Sequence, residues 1–256
     1  MKAFILIGEH LSHSYSVPIH KAFFALRGVE AGYELRELAK EAFKSVRASL
    51  LPLFGANVTI PYKQAIIPYL DACAESALKI GAVNTIENAN GRLIGHNTDI
   101  GGFIAMLEFH GLHVKGRPCA ILGAGGAAEA AKAALYIMGA ADVKIFSRTP
   151  DVKPDTYGYE GLLHYRGGLL VNCTPVGMYP KPDACPVSKA VIACFDEGAD
   201  MIYNPGETVF SRSFSKSATG LYMLVKQAAL AQEIWFKEPI KEELVDEVYH
   251  KMRKEF

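Results

Sequence analysis

Apolar residues in this chain come in short continuous runs separated by stretches in which they recur every three or four positions. That alternation predicts strands interleaved with helices. Ala3 to Ile7 is one such run and predicts a buried first strand. A helix is expected from about Pro18 to Arg27, stopped by Gly28, then a strand over Gly32 to Leu38 and a helix towards Leu50. Asn90-Gly91 separates Val83 to Ile86 from Arg92 to Ile94. Both central residues of a type I′ turn need positive φ, so this dipeptide predicts a hairpin, which draws Asn84 and Asp99 towards one another along a ribbon. Pro118 to Leu122 predicts a strand, Ala127 to Met138 an alanine-rich helix and Val143 to Phe146 the next strand. Further strands are expected at Leu169 to Asn172 and Asp200 to Tyr203. Helices then follow over Leu221 to Trp235 and, past a break at Pro239, Lys241 to Lys254. The fold class is α/β.

Composition narrows the function classes. The 256 residues leave room for one large domain or two ordinary ones. Lysines and arginines number 27 and acids 27, so no global field holds a polyanion, and neither a nucleic-acid nor a membrane partner is expected. The first apolar run is too short for a signal-peptide core or a membrane span, and five cysteines without paired spacing suit a reducing compartment. A cytoplasmic protein is expected. Cys173, Cys185 and Cys194 lack zinc spacing, and His110 and His113 have no matching pair, so no metal is expected.

The candidate chemistry sits in two places. Gly123-Ala124-Gly125-Gly126-Ala127-Ala128 has the form G-x-G-x-x-A between an expected strand and helix. Its first glycine permits a tight turn, its second lets the backbone approach a pyrophosphate, and the small third position lets helix and strand pack closely. Ser147, Arg148 and Thr149 end the second strand, with Lys153 just beyond. No acid is there to take a ribose 2′-hydroxyl, whereas a guanidinium and hydroxyls suit a 2′-phosphate, so NADP is favoured over NAD; a solvated surface arginine is the plain alternative. The other place is a set of low-charge polar stretches: Asn57 to Lys63, Gly81 to Thr85 and Asn97 to Asp99. Together they suit a small polyhydroxylated acid, with Thr59 and Asn84 as neutral hydrogen-bonding groups and Lys63 and Asp99 able to exchange a proton. Most lysines are solvated, and Asn and Thr beside turns are usually caps, so only the convergence of the stretches favours a site. Serines from Ser12 to Ser16 precede the first helix, either as caps or as a carboxylate site. Tyr222 and Lys226 have a Y-x-x-x-K spacing but lie on an expected core helix after the nucleotide fold.

With His13-Ser14-Tyr15-Ser16, Asn172 to Met178, Tyr203-Asn204-Pro205, Gly220, Met223-Leu224 and Gln227-Ala228 added, these motifs resemble the shikimate dehydrogenase family nearly end to end. The resemblance implies an NADPH-dependent oxidoreductase acting on a CH–OH group, reducing 3-dehydroshikimate to shikimate. It implies that Ser14 and Ser16 bind the substrate carboxylate, that Thr59, Asn84, Asp99 and Gln227 hold hydroxyls, and that Tyr203 is a further contact. Lys63 and Asp99 would be the catalytic pair, and Thr174, Met201, Gly220 and Met223 would lie close to the nicotinamide. The implied architecture is an N-terminal α/β substrate domain of residues 1–99, completed by 220–256, and a Rossmann-like NADP domain of residues 100–219. A quinate/shikimate dehydrogenase using NAD and a non-catalytic sensor are the competing readings; monomer and homodimer both fit. Three departures stand out. Proline comes at Pro18, one place later than usual, so the helix start is expected to shift. Ser147 stands for a common asparagine. Residues 149 to 168 are contracted and rich in proline and glycine, so a covering helix is expected to be missing, the segment irregular and cofactor affinity reduced.

Overall fold

The computed structural model describes residues 1–12, 14–150 and 154–255. The chain forms two compact units: Met1–Thr98 with Gln227–Met252, and Asp99–Lys226 with the short tail from Arg253.

The first unit is built on a six-stranded sheet. Its elements are β1 (Lys2–Gly8), α1 (Ser16–Leu26), β2 (Ala31–Glu37), α2 (Val46–Leu50), β3 (Gly55–Val58), α3 (Tyr62–Ala65), β4 (Ala72–Cys73), α4 (Glu75–Leu78), β5 (Thr85–Ala89) and β6 (Arg92–His96). The strand order is β2-β1-β3-β5-β6-β4, with β1 parallel to β2 and β3, and β5 antiparallel to β3 and β6. The hairpin turn has φ of 56° at Asn90 and 89° at Gly91, as a type I′ turn demands, and Asn88 Oδ1 accepts the Gly91 N–H at 2.7 Å. One face of the sheet buries Phe4, Phe24 and Tyr33 against Ala231 and Trp235 of the returning helix. Gly55 makes that return possible: a Cβ there would lie 2.4 Å from Trp235 Nε1, which donates to the Ile86 carbonyl at 2.9 Å.

In the second unit α5 (Asp99–Phe109) leads into β7 (Pro118–Leu122), α6 (Gly126–Ile137), β8 (Asp142–Ser147), β9 (Thr156–Gly158), β10 (Gly167–Asn172), α7 (Lys189–Ile192), β11 (Phe195–Asp200), α8 (Val209–Arg212) and β12 (Ser217–Thr219). All pairings are parallel, in the order β12-β11-β10-β7-β8-β9. Numbered within the unit this is 3-2-1-4-5-6, the doubly wound dinucleotide order, with the chain reversing between β7 and β10. The unit boundary then falls inside α9 (Leu221–Phe236), between Lys226 and Gln227, and α10 (Glu242–Met252) closes the first unit.

Three expectations need correction. The strand foreseen at Asp200 to Tyr203 is β11, which ends where that stretch begins. Its sequence, Phe-Asp-Glu-Gly-Ala-Asp, carries no apolar run because two of its acids, Glu197 and Asp200, are buried with partners: Glu197 takes the Arg117 guanidinium at 2.8 Å. Helix α1 starts at Ser16, and Pro18 sits within its first turn, where its missing N–H removes no helical bond. The contracted stretch is not wholly irregular. Thr156 to Gly158 pairs with β8, and a 3₁₀ helix over Tyr159–His164 buries Leu162 completely. Short 3₁₀ turns tolerate glycine where an α-helix does not persist, so Leu162 covers the sheet in place of a longer helix. Lys153 lies outside the described residues.

Candidate functional site

In the first unit the polar stretches meet at the ends of β1, β3 and β5. A Cβ on Gly8 would fall 2.7 Å from Thr59 Cγ2, so the glycine lets β1 pass beside Thr59, whose N–H donates to the Ile7 carbonyl at 2.8 Å. Tyr62 is buried and stacked on Phe43 with ring centroids 4.2 Å apart, which anchors the first turn of α3 and its neighbour Lys63. The Lys63 carbonyl accepts the Val83 N–H at 2.8 Å. The next residue, Asn84, is 3% exposed and accepts the Thr98 N–H on Oδ1 at 2.9 Å while its Nδ2 donates to Thr98 Oγ1 at 2.9 Å. Lys63, Asn84 and Thr98 are thus tied through consecutive hydrogen bonds, and Asp99 follows Thr98 as the first residue of α5. The ribbon therefore delivers Asn84 to the residue before Asp99.

Ser14 and Ser16 do not cap α1 in the usual manner. The N-cap residue is Tyr15, without a side-chain cap bond. Ser14 Oγ instead accepts the Ser16 N–H at 3.3 Å and donates to Ser16 Oγ at 3.1 Å, pairing two half-buried hydroxyls at a helix N-terminus, where anions are favoured. Gln227 is half-buried on α9 in this same unit.

In the second unit the glycine loop lies at the reversal point. Gly123 has φ 97°, and a Cβ on it would come within 3.1 Å of Thr174 Cγ2, so this glycine is required by the fold itself. Gly125 is different. Its backbone is extended (φ −84°, ψ −177°), it caps α6 with no side-chain bond, and a Cβ on it or on Gly126 would meet no protein atom within 4 Å. Neither backbone conformation nor protein packing calls for glycine at 125, and the open space at an exposed helix N-terminus fits a pyrophosphate. Ala124 and Ala127 complete the loop, and Ala128 is fully buried where α6 meets the sheet. At the end of β8, Ser147 Oγ accepts the Thr149 N–H at 3.2 Å, turning the chain so that Arg148 is exposed, with no ion pair to another described residue. On the far side of the reversal, Thr174 donates both its N–H (3.0 Å) and its hydroxyl (2.7 Å) to Asn172 Oδ1. Gly220 packs against Met201, whose carbonyl oxygen would be 2.2 Å from a Cβ, so close approach alone demands this glycine. Met223 is half-buried on the first turn of α9, and Tyr203 half-buried beyond Met201.

Asp200 was not among the residues singled out from sequence; its only signal is a carboxylate closing a buried strand. It is fully buried and accepts from Thr208 Oγ1 (2.6 Å), Asn172 Nδ2 (3.1 Å) and the Ile202 N–H (3.1 Å), so it fixes both Asn172 and the turn carrying Met201. Burial pushes its pKa up to about 6 against those hydrogen bonds. A folded pKa above the unfolded value means that this group favours folding below about pH 4, and the contribution is lost as pH rises through about 6. The full swing is on the order of 3 kcal/mol. Urea melts of wild type and Asp200→Asn from pH 4 to 7 should therefore show wild type losing stability relative to the variant. A constant difference across that range would show that Asp200 stays ionised.

Residues 6–86 match the model of the shikimate dehydrogenase substrate binding domain. A protein named shikimate dehydrogenase (NADP(+)) from Clostridium beijerinckii is 39% identical, covering 100% of both chains. The chain belongs to the shikimate dehydrogenase family. Among solved structures, a chorismate mutase/shikimate 5-dehydrogenase fusion protein from Clostridium acetobutylicum superposes with a TM-score of 0.95 at 39% identity, covering 100% of this chain and 98% of that one. Shikimate 5-dehydrogenase from Thermus thermophilus, solved in complex with NADP(H) and shikimate, gives 0.87 at 32% identity, with 98% and 99% covered. The stretch matched by the shikimate dehydrogenase substrate-domain model contains Ser14, Ser16, Thr59, Lys63 and Asn84, all of which lie in the first unit.

Proposed function

We propose that the protein is an NADP-dependent shikimate dehydrogenase, interconverting shikimate and 3-dehydroshikimate in the route to chorismate and the aromatic amino acids. The observation that carries this reading is the hydrogen-bonded chain from Lys63 through Val83 and Asn84 to Thr98, with Asp99 next in sequence, in a chain whose full-length relatives bear that name. NADP, when bound, supplies the hydride acceptor. Lys63 Nζ exchanges the proton of the reacting hydroxyl, and the Asp99 carboxylate orients that ammonium and accepts from a substrate hydroxyl. Ser14 and Ser16 hold the carboxylate, Thr59, Asn84 and Gln227 the remaining hydroxyls, and Tyr203 makes a further contact. Gly123, Ala124, Gly125, Gly126 and Ala127 cradle the pyrophosphate; Ser147, Arg148 and Thr149 take the 2′-phosphate; Thr174, Met201, Gly220 and Met223 line the nicotinamide. Residues 1–99 and 220–256 form the substrate domain, and 100–219 the cofactor domain.

We place the enzyme in the cytoplasm as a monomer or homodimer. Five cysteines, all free, support a reducing compartment, and no described helix is long and apolar enough to cross a membrane. Initial rates with shikimate or quinate, each against NADP or NAD, test the assignment: fastest turnover with shikimate and NADP is expected, and no turnover with any pair overturns it. Arg148→Ala should weaken NADP at least about tenfold more than NAD, because only NADP carries the phosphate that an exposed guanidinium can grip. Equal weakening of both cofactors would make Arg148 a support of the loop.

A further inference from the structure

Asn57 lies inside the motif that ends at Lys63, and its side chain is buried in the body of the first unit. It is 4% exposed. Tyr33 Oη donates to its Oδ1 at 2.7 Å, and its Nδ2 donates to the Asn84 carbonyl and to Thr85 Oγ1, both at 3.1 Å. Since Thr85 Oγ1 receives a proton from Asn57, its own proton is directed to Asn84 Oδ1, 3.0 Å away. Asn84 Oδ1 also accepts the Thr98 N–H, so this amide is held with its oxygen inward and its NH₂ as the donor. The Asn84 carbonyl, an acceptor only, and the Thr98 N–H, a donor only, set the sense of the two amides, and the phenol completes the chain by donating to Asn57 Oδ1. A flipped Asn57 would set its oxygen against the Asn84 carbonyl, two acceptors face to face.

The phenol is itself well anchored. Tyr33 is 2% exposed, and its ring stacks on His20 with centroids 4.1 Å apart and planes at 12°. Burial raises the Tyr33 pKa well above its usual value and lowers that of His20 to about 3, so the first remains a donor and the second neutral at any working pH. Ser16 lies beside the phenol and Asn57 beside the imidazole. Gln232 of α9 closes the far side, donating to the His20 carbonyl at 3.2 Å.

We propose that Tyr33 and Asn57 are positioning residues that set the orientation of the Asn84 amide, so that it presents a donor to a substrate hydroxyl. The substrate role rests on the shikimate reading; the orientation of the amide does not.

Tyr33→Phe tests it, because the ring and its stacking remain and only the donor is lost. KM for shikimate should rise about tenfold, the usual worth of one oriented hydrogen bond, with KM for NADP unchanged within about twofold. In an Asn84→Ala background the same change should add nothing further, since its effect is transmitted through Asn84. Thr85→Val cuts the chain one link later and should give the same pattern. An additive effect in that background, or an equal rise in KM for NADP, would reduce Tyr33 to a packing residue and overturn the proposal. Side-chain ¹H–¹⁵N spectra separate this from the assignment of activity. The Asn84 NH₂ signals should shift in Tyr33→Phe whether or not wild type oxidises shikimate, and unmoved signals sink the idea.

Discussion

Lys63→Ala is expected to lower shikimate turnover by roughly 10²- to 10⁴-fold, the ordinary worth of a positioned acid–base group, while leaving shikimate affinity within a few-fold of wild type. The variant should fold normally. What places residue 63 is its backbone carbonyl, bonded to the Val83 N–H at 2.8 Å, and the buried Tyr62 ring stacked on Phe43, and neither depends on the lysine side chain. Affinity should survive because, in the proposed function, the carboxylate and most hydroxyl contacts are assigned to Ser14, Ser16, Thr59 and Asn84. Lys63→Arg sharpens the test: a guanidinium keeps the charge but does not release its proton, so turnover should stay low although a cation is restored. Stopped-flow absorbance of NADPH together with shikimate titration by calorimetry separates the two effects. Near-normal turnover in Lys63→Ala would make the lysine a bystander.

Whether a residue's place is legible in the sequence depends on what kind of force holds it there. The Asn90-Gly91 hairpin was legible because its signal is local: positive φ at two successive residues suits few dipeptides. The glycine loop was legible for the same reason, as a turn demand coupled to neighbouring strand and helix. Strand β11 is hidden in the sequence because Glu197 and Asp200 look like surface residues until their partners are known, and of these Arg117 and Asn172 lie 80 and 28 residues away. Tyr33, Asn57 and Asn84 pose the same difficulty. Each is an ordinary strand or turn residue in sequence, and only the register of β1 with β2 and β3 brings the phenol to the amide. The contracted stretch failed differently. Its prolines and glycines argue correctly against an α-helix, yet Leu162, with Tyr159 packed beside it, holds a 3₁₀ turn on the sheet.

Glycines 123, 125 and 220 look alike in sequence, and their structural differences lead to the second large expected effect. Gly220→Ala should unfold the cofactor unit's end of α9 or cost about 1 to 3 kcal/mol, because the new methyl would stand 2.2 Å from the Met201 carbonyl oxygen. Gly123→Ala should also destabilise, since φ is 97° and Thr174 is close. Gly125→Val should do neither. Its extended backbone accepts a β-branched residue, and no protein atom lies within 4 Å of the new Cβ, so stability should stay within about 0.5 kcal/mol of wild type. The isopropyl group instead fills the space at the α6 N-terminus through which the backbone must approach a pyrophosphate, and NADP affinity should fall at least about 100-fold. Shikimate binding, governed by the other unit, should be untouched. Thermal melts combined with NADP and shikimate titrations distinguish these outcomes: a Gly125→Val protein that binds NADP as tightly as wild type would show that this loop, despite its form, is not where the pyrophosphate lies.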